Sequence, residues 1–305
     1  MSKRINGVLS PVVTPFKPDL SPDTERFVRQ CKWLVANNVG LAVFGTNSEA
    51  NSLAAGERME LLDRLVEAGV DAARMMPGTG CCALTDSVRL TAHAVNLGCA
   101  GALMLPPFYY KGVSDEGLYR NFAEIVERVG DARLQIYLYH IPQVSQVPIS
   151  LKLIERLLKA YPKSIAGTKD SSGDWNNTKA TLDAFAKDGF DVFPGSETFL
   201  LAGLRAGAKG CISATANVNP VAIHALYAEW KSGAADELQR GLDRIRLIFQ
   251  KYPMIPAMKR AISHWRGHPG WAAVRPPLVE LGDEQAAALI AELEQCGFSM
   301  PGLKG

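Results

Sequence analysis

One lysine stands where an apolar run meets a turn. In Ser164-Ile165-Ala166-Gly167-Thr168-Lys169-Asp170-Ser171-Ser172-Gly173 the apolar residues end at Lys169, and polar, turn-forming residues follow at once. That pattern predicts a buried strand delivering an ammonium group to its carboxyl end. A lysine withdrawn from solvent is more readily neutral than a surface one, and a neutral amine is a nucleophile towards carbonyls. For any lone lysine the commoner role is a solvated loop residue, so the other groups decide. Tyr139 closes the apolar run 134–139, Thr46 follows the run 41–44, and Tyr109 and Tyr110 follow the run 100–105. A phenol moves protons while an imine forms or a carbon–carbon bond is made or broken. The N–H groups and hydroxyls of the loop Gly45-Thr46-Asn47-Ser48 suit a carboxylate, as loop nests and helix starts do. Together these groups suit carbonyl chemistry through an iminium, in which the lysine forms a Schiff base with a keto acid and the iminium is the electron sink.

Such chemistry needs elements that bring distant residues to one place. Apolar runs alternate with helical spacing along most of the chain. Strands are expected at 8–13, 41–44, 74–77, 100–105, 134–139, 165–168, 190–193 and 210–213. Helices are expected between them, the first opening at Ser21-Pro22-Asp23 with Pro22 at the first helical position. The last of the eight strand–helix pairs ends near residue 231. Short, nearly all-apolar strands alternating with helices imply parallel pairing with both faces covered. Eight such units predict an α/β fold, a (β/α)8 TIM barrel. An open doubly wound sheet fits less well, because no GxGxxG follows the first strand. The barrel is expected over 1–231 and carries the site. Residues 232–305 read as a C-terminal helical region packed on it, with helices at 235–249, 255–265 and 283–294. In this architecture chemistry lies at the carboxyl ends of the strands, which is where Lys169, Tyr139, Thr46 and the Tyr109-Tyr110 pair fall.

Composition excludes several other classes. The 305 residues carry 33 Lys and Arg against 31 Asp and Glu, a net charge of +2. The basic residues are dispersed, so a nucleic-acid partner is not expected. No apolar run is long enough to span a bilayer, and the first residues lack the apolar segment of a secretory signal. The six cysteines form no CxxC pair and read as reduced thiols of a cytoplasmic protein. The five histidines show no HxH or HExxH spacing, so a metal-dependent aldolase is not expected. Gly78-Thr79-Gly80 lacks the Lys-Ser/Thr that follows a P-loop.

Through these residues and their order, the chain resembles the dihydrodipicolinate synthase / N-acetylneuraminate lyase family of pyruvate-dependent class I aldolases. Residues 7–16 are similar to its opening strand, and Gly45-Thr46-Asn47-Ser48-Glu49 to its GTTGE loop. Tyr139-His140-Ile141-Pro142 is similar to YNxP, residues 167–173 to GxKDSSG, and residues 210–217 to the last-strand segment. The motifs follow in order along essentially the whole chain.

The resemblance implies roles. Lys169 is the Schiff-base lysine and Tyr139 the proton-relaying phenol, tuned through Thr46 and a second tyrosine. That tyrosine matches Tyr110, with Tyr109 the register alternative, and in the family it reaches across from a neighbouring subunit. Thr46 and Asn47 bind the pyruvate carboxylate, and backbone groups of Gly195 and Ile212 line the pocket. Ser196, Glu197 and Ser213 fall where sugar-acid lyases contact substrate hydroxyls, and His140 stands beside the tyrosine as a pocket-wall or supporting residue. No metal or organic cofactor is implied beyond the covalent Schiff base. The partners implied are a small 2-keto acid, an aldehyde and further copies of the chain in a homotetramer, a dimer of dimers.

Two departures from the family's pattern are present: one in the loop for the pyruvate carboxylate, where an amide can still donate, and one at the second substrate. Asn47 and Ser48 replace the second threonine and the glycine of the loop. Val144 stands where dihydrodipicolinate synthases of the family carry an arginine for the second substrate's carboxylate, a task for a bidentate guanidinium. The expected function is therefore a Schiff-base-forming lyase that cleaves a 2-keto acid to pyruvate and an aldehyde, or condenses them. The alternatives are 4-hydroxy-tetrahydrodipicolinate synthase of lysine biosynthesis and a non-catalytic barrel that binds a keto acid.

Overall fold

The computed structural model describes residues 4–303. They divide into two compact units, one comprising the residues up to Gly7 together with Asp71–Ile212, the other Val8–Val70 together with Ser213 onward.

The first unit is built on parallel strands. They are β3 (Ala102–Met104), β4 (Ile136–His140), β5 (Ile165–Asp170) and β6 (Asp191–Pro194), hydrogen-bonded in that order, and each begins after a helix has returned the chain. The strands are buried throughout, and on the face that carries helices Leu138, Ile136 and Ile165 share one core cluster with Phe122, Leu153 and Leu182. Side chains cap the helices where the sequence offers an oxygen. Ser114 accepts from Gly117 N at 3.2 Å to open Asp115–Val129, which Gly130 ends at φ 59°. Ser150 accepts from Leu153 N at 3.0 Å to open Leu151–Ala160, and Asp174 from Asn176 N at 2.9 Å to open Trp175–Phe185.

The strand expected at 74–77 is not regular. A 3-10 turn occupies Ala72–Arg74, and the following residues bond to β3 through Ala100 N→Met75 O (3.0 Å), Leu103 N→Pro77 O (2.8 Å) and Thr79 N→Leu103 O (2.9 Å). Pro77 has no N–H to give, which breaks the ladder to a single bridge between Gly78 and Leu103. Strands β4 and β5 run further than the apolar runs suggested, to His140 and Asp170. Lys169 is therefore inside a strand, because the ladder is set by backbone groups and not by side-chain polarity.

In the second unit β1 (Gly7–Ser10) pairs in parallel with β2 (Gly40–Leu41), Leu9 opposite Gly40 and Ser10 opposite Leu41. The run to residue 44 shortens because Phe44 takes φ 62°, outside the strand region. The first helix is Thr24–Ala36 and its cap is Asp23, which accepts from Arg26 N at 3.0 Å. Pro22 instead bridges to Phe16, so it is not the first helical residue. The C-terminal helices run Ala235–Gln250, Met254–Arg266 and Asp283–Gln295. Two buried amides tie this unit together. Asn217 accepts from Val13 N (2.9 Å) and donates to Pro11 O (3.0 Å) and Ala214 O (2.9 Å). Gln30 donates to Asn217 O (3.0 Å) and accepts from Arg266 (2.9 Å). Among the described residues no helix is long and apolar enough to cross a membrane, and the six cysteines are free thiols.

Candidate active site

The β4–β5 register puts Tyr139 opposite Lys169 and His140 opposite Asp170. Strand side chains alternate, so Tyr137 and Tyr139 share one face with Gly167 and Lys169. Leu138, His140, Thr168 and Asp170 take the other, against the helices. Lys169 and Tyr139 are each only 2% exposed. The lysine Nζ lies 4.2 Å from the centroid of the Tyr139 ring, over its face. An amine and a phenol buried side by side on one sheet face form the pair that the sequence assigned to imine chemistry.

Space for this face comes from glycines. A Cβ on Gly167 would lie 2.2 Å from Asp191 O and 2.9 Å from the Tyr137 ring, and one on Gly101 would lie 2.6 Å from that ring. Tyr137 donates to Asp191 Oδ2 at 3.1 Å and stacks edge-on to Phe193 at 5.9 Å. Burial raises the Asp191 carboxyl above the usual range, an effect that Arg4, 3.6 Å away, opposes. Arg4 also donates to Ala166 O (3.2 Å) and Gly189 O (2.5 Å). This group lies near the start of the strands, with Asp191 opposite Gly167, two residues before Lys169.

The backbone just beyond Lys169 is held on several sides. The buried carboxylate of Asp170 accepts from Ser172 N (2.9 Å), Asn177 Nδ2 (3.0 Å) and Thr178 Oγ1 (2.6 Å). Its carbonyl accepts from Gly195 N at 2.7 Å, and Ser171 N donates to His140 O at 2.7 Å. Gly195 permits that approach, since a Cβ there would lie 2.1 Å from Ser171 Oγ. Asp170 was not singled out as a site residue from sequence. Its signal was the Asx-type spacing to Ser172, which a turn explains equally well.

His140 lies on the opposite face from Tyr139. Its Nδ1 accepts from Ile149 N at 3.0 Å, so the neutral ring carries its proton on Nε2. Burial lowers its basicity, and the carboxylate of Asp170 partly restores it. Ser196 caps the turn Glu197–Phe199, accepting from Thr198 N at 3.3 Å, and Glu197 is buried. Tyr109 and Tyr110 stack edge to face at 5.3 Å and are 74% and 72% exposed, so neither joins the buried pair. Val144 is 58% exposed in the short helix Pro142–Ser145, and its neighbour Gln143 donates to Ser171 O at 2.5 Å. Ile212 is buried at the end of β7 (Gly210–Ile212).

In the second unit Thr46 and Asn47 open the 3-10 turn Thr46–Ser48. Gly45 N donates to Ser48 Oγ at 3.2 Å, and Thr14 Oγ1 donates to Ser48 O at 2.7 Å. Ser213 is buried, with Arg246 donating to its hydroxyl at 3.4 Å.

The model of the dihydrodipicolinate synthetase family matches residues 4–296. A relative from Chloroflexus aurantiacus, an uncharacterized DapA-like lyase, is 33% identical over 293 residues, 95% of this chain and 96% of its own. Dihydrodipicolinate synthase from Agrobacterium tumefaciens superposes with a TM-score of 0.87 at 29% identity, over 96% of this chain and 99% of that one. YagE, a prophage protein of the dihydrodipicolinic acid synthase family from E. coli K12, was solved in complex with pyruvate; it superposes with a TM-score of 0.87 at 26% identity and the same coverage. The likeness gives this chain the expected TIM-barrel fold with a C-terminal helical region. The order of motifs, the fold and the matched span agree, and the chain belongs to the dihydrodipicolinate synthetase family of class I aldolases and lyases.

Proposed function

We propose that this lyase works on pyruvate or a longer 2-keto acid through a Schiff base on Lys169, with no metal or organic cofactor. The observation that carries the reading is the buried Lys169–Tyr139 pair, Nζ 4.2 Å from the ring centroid. The neutral amine adds to the C2 carbonyl, water leaves, and a protonated imine results. In the cleavage direction the C4 hydroxyl loses its proton, the C3–C4 bond breaks, and its electron pair moves into the C2–N iminium. An aldehyde departs and an enamine remains. Protonation at C3 and hydrolysis then release pyruvate and the free lysine. Tyr139 relays these protons, tuned through Thr46 and Tyr110 of a neighbouring subunit.

The remaining roles follow the family resemblance. Thr46 and Asn47 hold the keto-acid carboxylate, and backbone groups of Gly195 and Ile212 line the site. Ser196, Glu197 and Ser213 meet hydroxyls of the substrate, and His140 supports Tyr139's strand from behind. The same reading makes the protein a cytoplasmic homotetramer, with the exposed Tyr109-Tyr110 pair at a subunit contact. Borohydride reduction in the presence of pyruvate is expected to leave a mass adduct on Lys169; an adduct on a different lysine, or none, overturns the assignment.

The likeness to dihydrodipicolinate synthase favours a second reading, condensation with aspartate semialdehyde. Val144 argues against it, because an apolar side chain cannot pair with a carboxylate. A coupled assay with pyruvate and aspartate semialdehyde separates the two. Turnover at rates ordinary for an enzyme, about 1–10³ per second, would establish the synthase reading.

A further inference from the structure

Lys259 is a fully buried lysine for which the reaction has no use. It lies on the helix Met254–Arg266, on the buried stripe that carries Met258 and Ile262. Its ammonium forms an ion pair with Glu49 Oε1, and both side chains are 0% exposed. It also donates to Ala273 O at 2.7 Å and sits 4.5 Å from the centroid of the Phe16 ring. The other carboxylate oxygen of Glu49 accepts from the backbone N of Arg275 at 2.9 Å. Arg275 in turn makes a two-pronged pair with Glu57 at 2.6 and 2.8 Å. It also donates to Leu20 O at 2.8 Å and Ser52 O at 2.7 Å, and its guanidinium lies 4.9 Å from the same Phe16 ring.

Glu49 directly follows the turn Thr46–Ser48 and holds φ 57°, a left-handed conformation that a non-glycine residue adopts when its surroundings impose it. Here its N–H donates to Thr46 O at 3.1 Å within the turn, its carbonyl accepts from Ser52 N at 2.8 Å, and its side chain is held by Lys259 and Arg275 N. A buried ion pair is poor evidence of stabilisation, since desolvation offsets the attraction, but it fixes one geometry because neither charge tolerates losing the other. Two residues from the C-terminal segment thus grip the residue that ends the turn carrying Thr46 and Asn47.

We propose that Lys259 and Glu49 are positioning residues of the lyase, whose ion pair holds the Thr46–Ser48 turn in the conformation that receives the carboxylate of the keto acid. The inference rests on the reading of Thr46 and Asn47 given under the proposed function. Loss of the pair therefore weakens ground-state binding of the keto acid without slowing the chemistry, whereas loss of a merely structural bridge lowers stability alone.

The test uses the full-length protein, pyruvate alone as probe, and borohydride trapping of Lys169 followed by mass spectrometry. Glu49→Gln and Lys259→Met are expected to raise the pyruvate concentration for half-maximal trapping about tenfold or more, with the rate at saturating pyruvate within about threefold of wild type. Should either single variant fail to fold, the double variant Lys259→Met/Glu49→Gln, which leaves neither charge alone, gives the same readout. Folded variants with unchanged half-saturation overturn this inference and leave the proposed function standing. Folded variants whose saturated rate falls while half-saturation holds overturn it too. A wild-type protein that pyruvate and borohydride do not label overturns both.

Discussion

Tyr139 and Lys169 face each other across neighbouring parallel strands, with the lysine Nζ 4.2 Å from the centre of the phenol ring. The contact places the aromatic body of Tyr139 against the lysine, so removing only the hydroxyl should leave packing intact. Tyr139→Phe is expected to keep the fold and to lower turnover about 10²–10⁴-fold, the range for a lost proton-transfer group. Steady-state assay and thermal unfolding on the same preparation check this. Lys169→Ala is expected to abolish the borohydride adduct altogether. A Tyr139→Phe enzyme with wild-type turnover would remove the phenol from the mechanism.

Glycine is required at Gly167 by contact, not by backbone angle. A methyl group there meets Asp191 O at 2.2 Å and the Tyr137 ring at 2.9 Å. Gly167→Ala is expected to destabilise by about 1–3 kcal/mol, the cost of overpacking a filled interior. Gly241 makes the control, since it lies inside the helix Ala235–Gln250 and a Cβ there meets nothing within 4 Å. Gly241→Ala is expected to stabilise by roughly 0.5–1 kcal/mol. Denaturant midpoints of the two variants, measured side by side, should move in opposite directions.

Val144 offers a gain-of-function test. It is 58% exposed in the short helix Pro142–Ser145, so an arginine there meets no packing restraint. Val144→Arg is expected to change stability by no more than about 0.5 kcal/mol. It should raise the rate of condensation with aspartate semialdehyde by about tenfold or more, the worth of one charge-assisted pair. An unchanged rate in the coupled assay would mean that other residues govern the second substrate.

Lys259 makes stability depend on pH in an unusual direction. Burial pulls its ammonium from 10.5 down to about 8; Glu49 and Glu280 oppose that fall and Arg275 adds to it. The folded value is below the unfolded one, so between about pH 8 and 10.5 the unfolded chain holds a proton that the folded chain has released. Stability contributed through this group therefore rises with pH across that window and is flat below it. Relative to Lys259→Met, wild type should show an added positive slope of up to about 1.4 kcal/mol per pH unit between pH 8 and 10. Chemical denaturation at stepped pH measures it. Because deprotonation also ends the Lys259–Glu49 ion pair, half-saturation by pyruvate is expected to worsen over the same range.

The sequence by itself determined the alternation of strands and helices, the order of the motifs and the placing of a lysine and a tyrosine at the ends of neighbouring strand runs. Those signals are local. An apolar run, a capping oxygen such as Ser114 or Ser150, and a Lys-Asp-Ser-Ser-Gly turn are each written within a few residues. Tertiary structure decided what needed two distant segments at once. The strand expected at 74–77 lost its regularity because Pro77 meets β3 without a donor, and β5 ran on through Lys169 because β4 and β6 supplied partners for its backbone. Period-two alternation then separated Tyr139 from its neighbour His140, whose ring turned to Ile149 N. Lys259 lay beyond sequence reasoning for the same reason. A lysine on an apolar helix stripe has meaning only once its partner is known, and Glu49 stands 210 residues earlier in the chain.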